Sequence, residues 1–217
     1  MDEIIRNIAV FALPVLFAIT LHEAAHAYAA RRLGDNTAYA QGRMTLNPLV
    51  HIDLFGTIII PIALYVTTGF VFGYAKPVPV QFGNLRNPKR DMAWVALAGP
   101  AANLLMAFLW VVFGMLLAAF GIDEEFLSKM ARAGLLTNLL IFAFNLFPLP
   151  PLDGGRVLTS MLPNRLAYQF ARIEPYGFFI LLALLYFNVL AFWVQPVMWL
   201  GAQVVELVTT PLAWLLT

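Results

Sequence analysis

Cysteine is absent, so disulfides, thiolate ligands and a cysteine nucleophile are excluded together, and any metal must be held by nitrogen and oxygen. Charge is scarce too. Only 12% of the 217 residues are Asp, Glu, Lys or Arg, against roughly 25% in ordinary soluble domains. The formal net charge is +1, and no basic stripe or paired aromatic platform stands out, which argues against a nucleic-acid partner. Repeats of fixed period, low-complexity tracts and long linkers are likewise missing. The longest polar interval is on the order of 20 residues, whereas a domain usually needs roughly 50 or more. A single membrane-embedded domain over residues 1–217 is therefore expected, with a core over 4–165 and a C-terminal helix pair over 174–217.

What the chain has is apolar side chain: 61% of its residues are hydrophobic and the mean hydropathy is +0.80, which marks an integral membrane protein surrounded by a lipid bilayer. The first apolar run opens with Asp2 and Glu3 instead of a basic region, so it is expected to stay in the mature chain and not to act as a cleaved signal. A span needs about 20 mostly apolar residues. That criterion selects residues 4–32, 91–120, 133–149, 175–194 and 197–216, with 55–72 as a shorter and ambiguous run. The fold class expected is all-α and polytopic, with about five to six transmembrane helices. Arg31, Arg32 and then Gly34-Asp35-Asn36 should stop the first helix. Between it and the next core helix, residues 37–51 and 73–83 read as short membrane-associated extended or β segments, the second because Pro77 and Pro79 flank valines.

Basic residues cluster after the first helix (Arg31, Arg32, Arg43), before the 91–120 helix (Lys76, Arg86, Lys89, Arg90) and after residue 155 (Arg156, Arg165, Arg172), while Asp123, Glu124 and Glu125 form an acidic loop. Lys and Arg favour the cytoplasmic side of short loops. All three basic clusters are therefore expected to be cytoplasmic, which leaves 55–72 to enter and return on one side or to cross in full with a shielded extended return.

One polar constellation stands inside the first apolar run, in Leu21-His22-Glu23-Ala24-Ala25-His26-Ala27. Histidines at i and i+4 share one helical face and can grip one Zn²⁺, and the Glu between them can serve as general base toward water. Ionisable groups in a span are costly and generally mark function. Against this stand a chance match of a short pattern and a Glu23 simply protonated in lipid. Hydrolytic zinc sites usually have a third protein ligand, and Asp153 in Pro150-Pro151-Leu152-Asp153-Gly154-Gly155 is the best candidate, since prolines and glycines there break the helix and permit close approach. Its bland alternative is a cap for the helix that follows. His51 reads first as a turn or interfacial histidine bonded to backbone. Asn103 and Asn145 are amides within apolar helices, either interhelical glue or donors to the oxyanion of a tetrahedral intermediate, and Gly99 belongs to a small-residue packing face.

His22-Glu23-Ala24-Ala25-His26 together with Asn145…Pro148…Leu152-Asp153-Gly154 resembles the site-2 protease family of intramembrane zinc metalloproteases. The likeness extends through Asn47-Pro48-Leu49, Gly73-Tyr74-Ala75-Lys76-Pro77-Val78-Pro79-Val80, Arg86-Asn87-Pro88-Lys89-Arg90 and Ala98-Gly99-Pro100, and it is nearest to the short forms without PDZ or CBS domains. The resemblance implies that His22, His26 and Asp153 bind one zinc ion, that Glu23 activates water, and that Asn145 assists the transition state or binds substrate. It further implies regulated intramembrane proteolysis: an active site toward the cytoplasmic side of the cell membrane, cleavage of transmembrane helices, and extended segments that pair with unwound substrate. The rivals are a transporter or metal-permeating channel using the same polar cluster, and a catalytically idle scaffold.

Overall fold

The computed structural model describes residues 2–60, 63 and 73–216. Helix α1 (Asp2–Arg32) ends where predicted. Gly34 takes φ +119°, and the amides of Gly34 and Asp35 donate to the carbonyls of Arg31 and Ala30, a left-handed cap that a side chain would strain. Helix α3 (Pro88–Ala119) starts with proline in its first turn, and Asp91 reaches back to accept the Asn87 amide at 2.8 Å. Helix α4 (Glu125–Asn145) follows after the Gly121 turn. The short helices α5 (Asp153–Met161) and α6 (Asn164–Ala171) precede α7 (Glu174–Tyr186) and α8 (Ala191–Leu216).

The fold is all-α and polytopic. By length and composition, four described helices can cross a membrane: Ile8–Arg32, Pro88–Ala119, Glu125–Asn145 and Ala191–Trp214. The expected span at 175–194 is instead the 13-residue α7, closed by a turn at Asn188 with φ +57°. The span expected from 133 begins eight residues earlier, because Lys129 pairs with Glu125 at 2.6 Å and Glu125 with Arg6, so these charges fit the helix start instead of delimiting it. It ends at Asn145, ahead of Pro148, Pro150 and Pro151.

Helix α3 is the hub, packed against α1, α4, α5 and α8. Alanines line these contacts: Ala18, Ala27 and Ala30 on α1, Ala107 on α3, and Ala133 and Ala143 on α4 are all buried. In a lipid-surrounded bundle such small residues let backbones approach and gain dispersion contact. Gly134 shows the principle, since a Cβ there would overlap the Trp110 ring.

Residues 37–51 are not strands. Thr37–Ala40 is one helical turn, α2, and Pro48–Val50 is a 3-10 turn. Side chains divert the backbone here: Asp35 accepts from the Thr37 amide at 3.0 Å, and Asn47 accepts from the Leu49 amide at 3.1 Å. Such local side-chain bonds start turns and compete with a ladder. Of the second segment expected to be extended, 73–83, residues 73–81 form no strand, helix or turn, and Phe82–Asn84 is a 3-10 turn. Their donors go elsewhere, Tyr74 N–H to Gly56 O and Lys76 N–H to His51 O, each at 2.9 Å. Leu54–Ile59 is a π-helical turn capped by Asp53, and most of the remaining 55–72 run, with the choice between crossing and re-entry, lies outside the described residues.

Candidate metal centre

Helix α1 carries His22 and His26 one turn apart, and α5 brings Asp153 to them from far along the chain. Asp153 arrives through tight turns: a Cβ on Gly154 would stand 2.6 Å from Phe147 O, and one on Gly155 2.7 Å from Pro150 Cδ. The 146–152 turn therefore folds directly onto the first turn of α5. Gly177 of α7 presses on the same turn, where a Cβ would meet Pro151 Cδ at 2.6 Å.

The three side chains converge. The Nε2 atoms of His22 and His26 are 3.0 Å apart, and Asp153 Oδ2 is 3.2 Å from each. All three residues are buried, with 5–8% of their surface exposed. Their outer atoms define the state of the inner ones. His22 Nδ1 lies 2.7 Å from Asn103 Oδ1, and Asn103 Nδ2 donates to Ala18 O at 3.1 Å and to Asn138 Oδ1 at 3.0 Å. Asn138 Nδ2 in turn donates to Gly134 O at 2.8 Å. Backbone carbonyls accept only, so they orient both amides, and Asn103 must present oxygen to His22. His22 Nδ1 is then the donor, and His26 Nδ1 donates likewise to Val95 O at 2.7 Å. Both Nε2 atoms are left with lone pairs facing each other and a carboxylate oxygen that, among the described residues, has no hydrogen-bond donor.

Three lone pairs and a negative charge crowded into a dry niche repel one another unless a cation lies between them. The spacing suits one. Tetrahedral zinc with N and O ligands at about 2.0–2.1 Å holds those ligand atoms about 3.3 Å apart, close to the 3.0–3.2 Å edges found here. The imidazoles also carry the outer-shell partners usual for metal-bound histidine, a carbonyl and an amide oxygen.

Glu23, half-buried on the next face of α1, accepts a 2.7 Å bond at Oε2 from the Val78 amide. Pro77 and Pro79 have no N–H, so Val78 is the only donor in its tripeptide. Asn145 is not bonded to the three metal-site residues. Its amide nitrogen donates to Ile141 O on its own helix at 3.0 Å, which leaves one N–H uncommitted among the described residues. His51 is buried 1% exposed and bonds Thr45 O through Nε2 at 3.0 Å, the backbone-bonded alternative. Asn103 follows the interhelical-glue reading: both its N–H groups are spent on Ala18 O and Asn138 Oδ1, which leaves none for an oxyanion, and its oxygen takes the bond from His22, a role neither reading named.

Sequence reasoning missed two features. Asn138 could have been found as another amide in an apolar helix. Gly99 could not be assigned from pattern: a Cβ there would stand 2.6 Å from Cε1 of both His22 and His26, so its bare backbone is the floor of the site.

Comparison with known proteins finds one family and several relatives. The profile of peptidase family M50 matches residues 10–135 and 122–188. A Bacillus subtilis protein provisionally named zinc metalloprotease YwhC is 38% identical over 175 residues, which cover 78% of this chain and 77% of that protein. Rip2 of Mycolicibacterium smegmatis, also provisionally named a zinc metalloprotease, is 32% identical over 172 residues, 78% of this chain and 64% of its own length. MJ0611 of Methanocaldococcus jannaschii, named in the same way, is 29% identical over 140 residues, 63% of this chain and 62% of its own. The chain thus spans a little under two thirds of these last two relatives. No solved structure matches it.

Proposed function

The chain belongs to peptidase family M50, and from that premise we propose that it is a zinc-dependent endopeptidase that cuts transmembrane segments of other proteins within the bilayer. The observation that carries the reading is the convergence of His22, His26 and Asp153 on one point inside a membrane-spanning bundle. These residues would hold one Zn²⁺ per chain. When bound, zinc supplies Lewis acidity toward water and the scissile carbonyl. Glu23 accepts the proton of the attacking water and passes it to the leaving amine. The Val78 amide holds one Glu23 oxygen, leaving the other for that transfer. Asn145 is assigned to the substrate carbonyl through its uncommitted N–H, a donor role that strengthens as charge develops on oxygen.

Depth supports cleavage inside the membrane. His22 and His26 lie ten and six residues before Arg32, hence about 9–15 Å below that end of the span at a helical rise of 1.5 Å. A substrate helix must be locally unwound there, because helical carbonyls are already bonded. The basic clusters at the Arg32 end favour the cytoplasmic face of the cell membrane for this opening. Packing of α3 on α1, α4, α5 and α8 supports residues 1–217 working as one domain.

The experiment is zinc analysis beside cleavage of a model transmembrane substrate in detergent. Glu23→Gln should retain zinc and lose turnover, whereas wild-type turnover in that variant refutes the mechanism. A protein that moves zinc across liposomes without cutting peptide would be a transporter.

A further inference from the structure

Helix α6 packs chiefly on α5 and is amphipathic. At about 100° per residue, Arg165, Tyr168, Gln169 and Arg172 share one side, while Leu166, Phe170 and Ile173 share the other. Its level is set by a 3.1 Å bond from Lys89 Nζ to Asn164 Oδ1, which ties the start of α6 to the first turn of α3. That turn lies at the end of the bundle where Ala30 of α1 packs with Leu85 and Val95. Helix α6 therefore lies at the membrane boundary on the basic side.

A groove runs from α6 into α7. Its larger part, about 490 Å³, is lined by Gln169, Arg172, Ile173, Tyr176 and Ile180. It continues past Gln169 and Ile173 to Leu166 and Phe170. Gln169 and Arg172 are its polar groups, and the rest of its lining is Leu, Ile, Phe and Tyr. No acidic side chain lines it, and the nearest in sequence, Glu174, faces Arg156 at 3.7 Å. The guanidinium groups of Arg165 and Arg172 are exposed and make no hydrogen bond or ion pair with any described residue. One of these unpaired cations, Arg172, lines the apolar slot, and Arg165 stands about two turns earlier on the same side of α6; at the lipid–water boundary this arrangement matches an amphiphile with a negative head.

We propose that this groove holds an anionic membrane phospholipid, its phosphate on Arg172 and Arg165 and its upper chains along Ile173, Tyr176 and Ile180. The site is separate from the metal centre, and the proposal does not depend on the peptidase reading. Only Leu162 and Pro163 join α6 to the helix that begins at Asp153.

Native mass spectrometry of the full chain in detergent, with equal phosphatidylglycerol and phosphatidylcholine of matched chains, tests it. The first lipid retained should be phosphatidylglycerol by roughly 30-fold, about fivefold for each arginine. Arg165→Gln/Arg172→Gln should erase the preference, while Arg6→Gln, at the opposite end of the bundle, should keep it. Ile180→Trp, which narrows the apolar lining beside Arg172, should reduce retention of both lipids in the first-bound position. Equal retention of the two lipids by wild type, or an unchanged preference in the double variant whose melting temperature matches wild type, would overturn the proposal.

Discussion

Gly99→Ala adds a single methyl group to the most crowded point of the metal centre. The new carbon would lie 2.6 Å from Cε1 of His22 and 2.6 Å from Cε1 of His26, where ordinary contact begins at 3.4 Å. Each ring must withdraw by about 0.8 Å, or α3 must shift by as much. Metal–ligand distances tolerate only about 0.2 Å, so the donor triangle opens well before the clash is relieved. The rings cannot turn aside freely, because His22 is held by Asn103 and His26 by Val95 O. Zinc affinity should fall by roughly 100-fold or more, the upper end of what disturbed outer-shell partners cost. Overpacking by one methyl should cost the fold about 1–3 kcal/mol. The assay is zinc per chain by elemental mass spectrometry after dialysis against graded chelator, with thermal unfolding in parallel. Gly83→Ala, which meets nothing within 4 Å, is the control. Stoichiometric zinc at wild-type affinity in Gly99→Ala would refute the claim that bare backbone shapes the site.

Asn103→Leu should weaken zinc binding by about 10–100-fold, because His22 loses the acceptor that orients it; unaltered affinity would show that the ring needs no such partner. Asn138→Leu acts one bond further away and should cost less, read by the same chelator competition, and a larger loss than Asn103→Leu would contradict the order of the chain of amides. Gly177→Ala, pressing on Pro151, should loosen the turn that delivers Asp153 and lower both melting temperature and zinc retention, whereas an effect on neither would place α7 outside the support of the site. Asp35 offers a pH test away from the spans. Burial alone would raise its carboxyl, but bonds from the Thr37 hydroxyl, the amides of Gln81 and Thr37, and Asn84 hold it below the usual carboxylate range. Its stabilisation is thus fully present above the ordinary Asp value of about 3.9 and fades as pH falls through the lower folded value. Melting temperature should drop in that acidic window in wild type and more shallowly in Asp35→Asn; identical pH profiles would exclude Asp35 as the source.

How legible each feature was depends on the range of the interaction that makes it. The His22–His26 pair is set by the period of one helix, and hydropathy alone marks α1, α3 and α4 as spans. The helix stop at Gly34 follows from local backbone freedom, and so does the Pro–Gly turn before Asp153. The errors have the opposite cause. Residues 37–51 alternate as a strand would, yet Asp35 and Asn47 bind nearby amides and turn the chain. Residues 175–194 are apolar enough for a span, yet the chain turns at Asn188, and α7 and the turn leading into α8 bury Leu181 and Leu190 against Leu152.

The sequence by itself determined the membrane setting, the two imidazoles on one face and the identity of a carboxylate able to join them, because these depend on composition and on spacing within one or two turns. Only the tertiary structure decided that Asp153 reaches the pair, that Asn103 orients His22 across 81 residues of chain, that Val78 engages Glu23 across 55, and that Gly99 is absent space rather than a packing stripe. Such contacts join atoms with no fixed separation along the chain, so no local periodicity encodes them. They exist because α3 lies close enough to α1 for a hydrogen atom, and nothing larger, to fit beneath the rings.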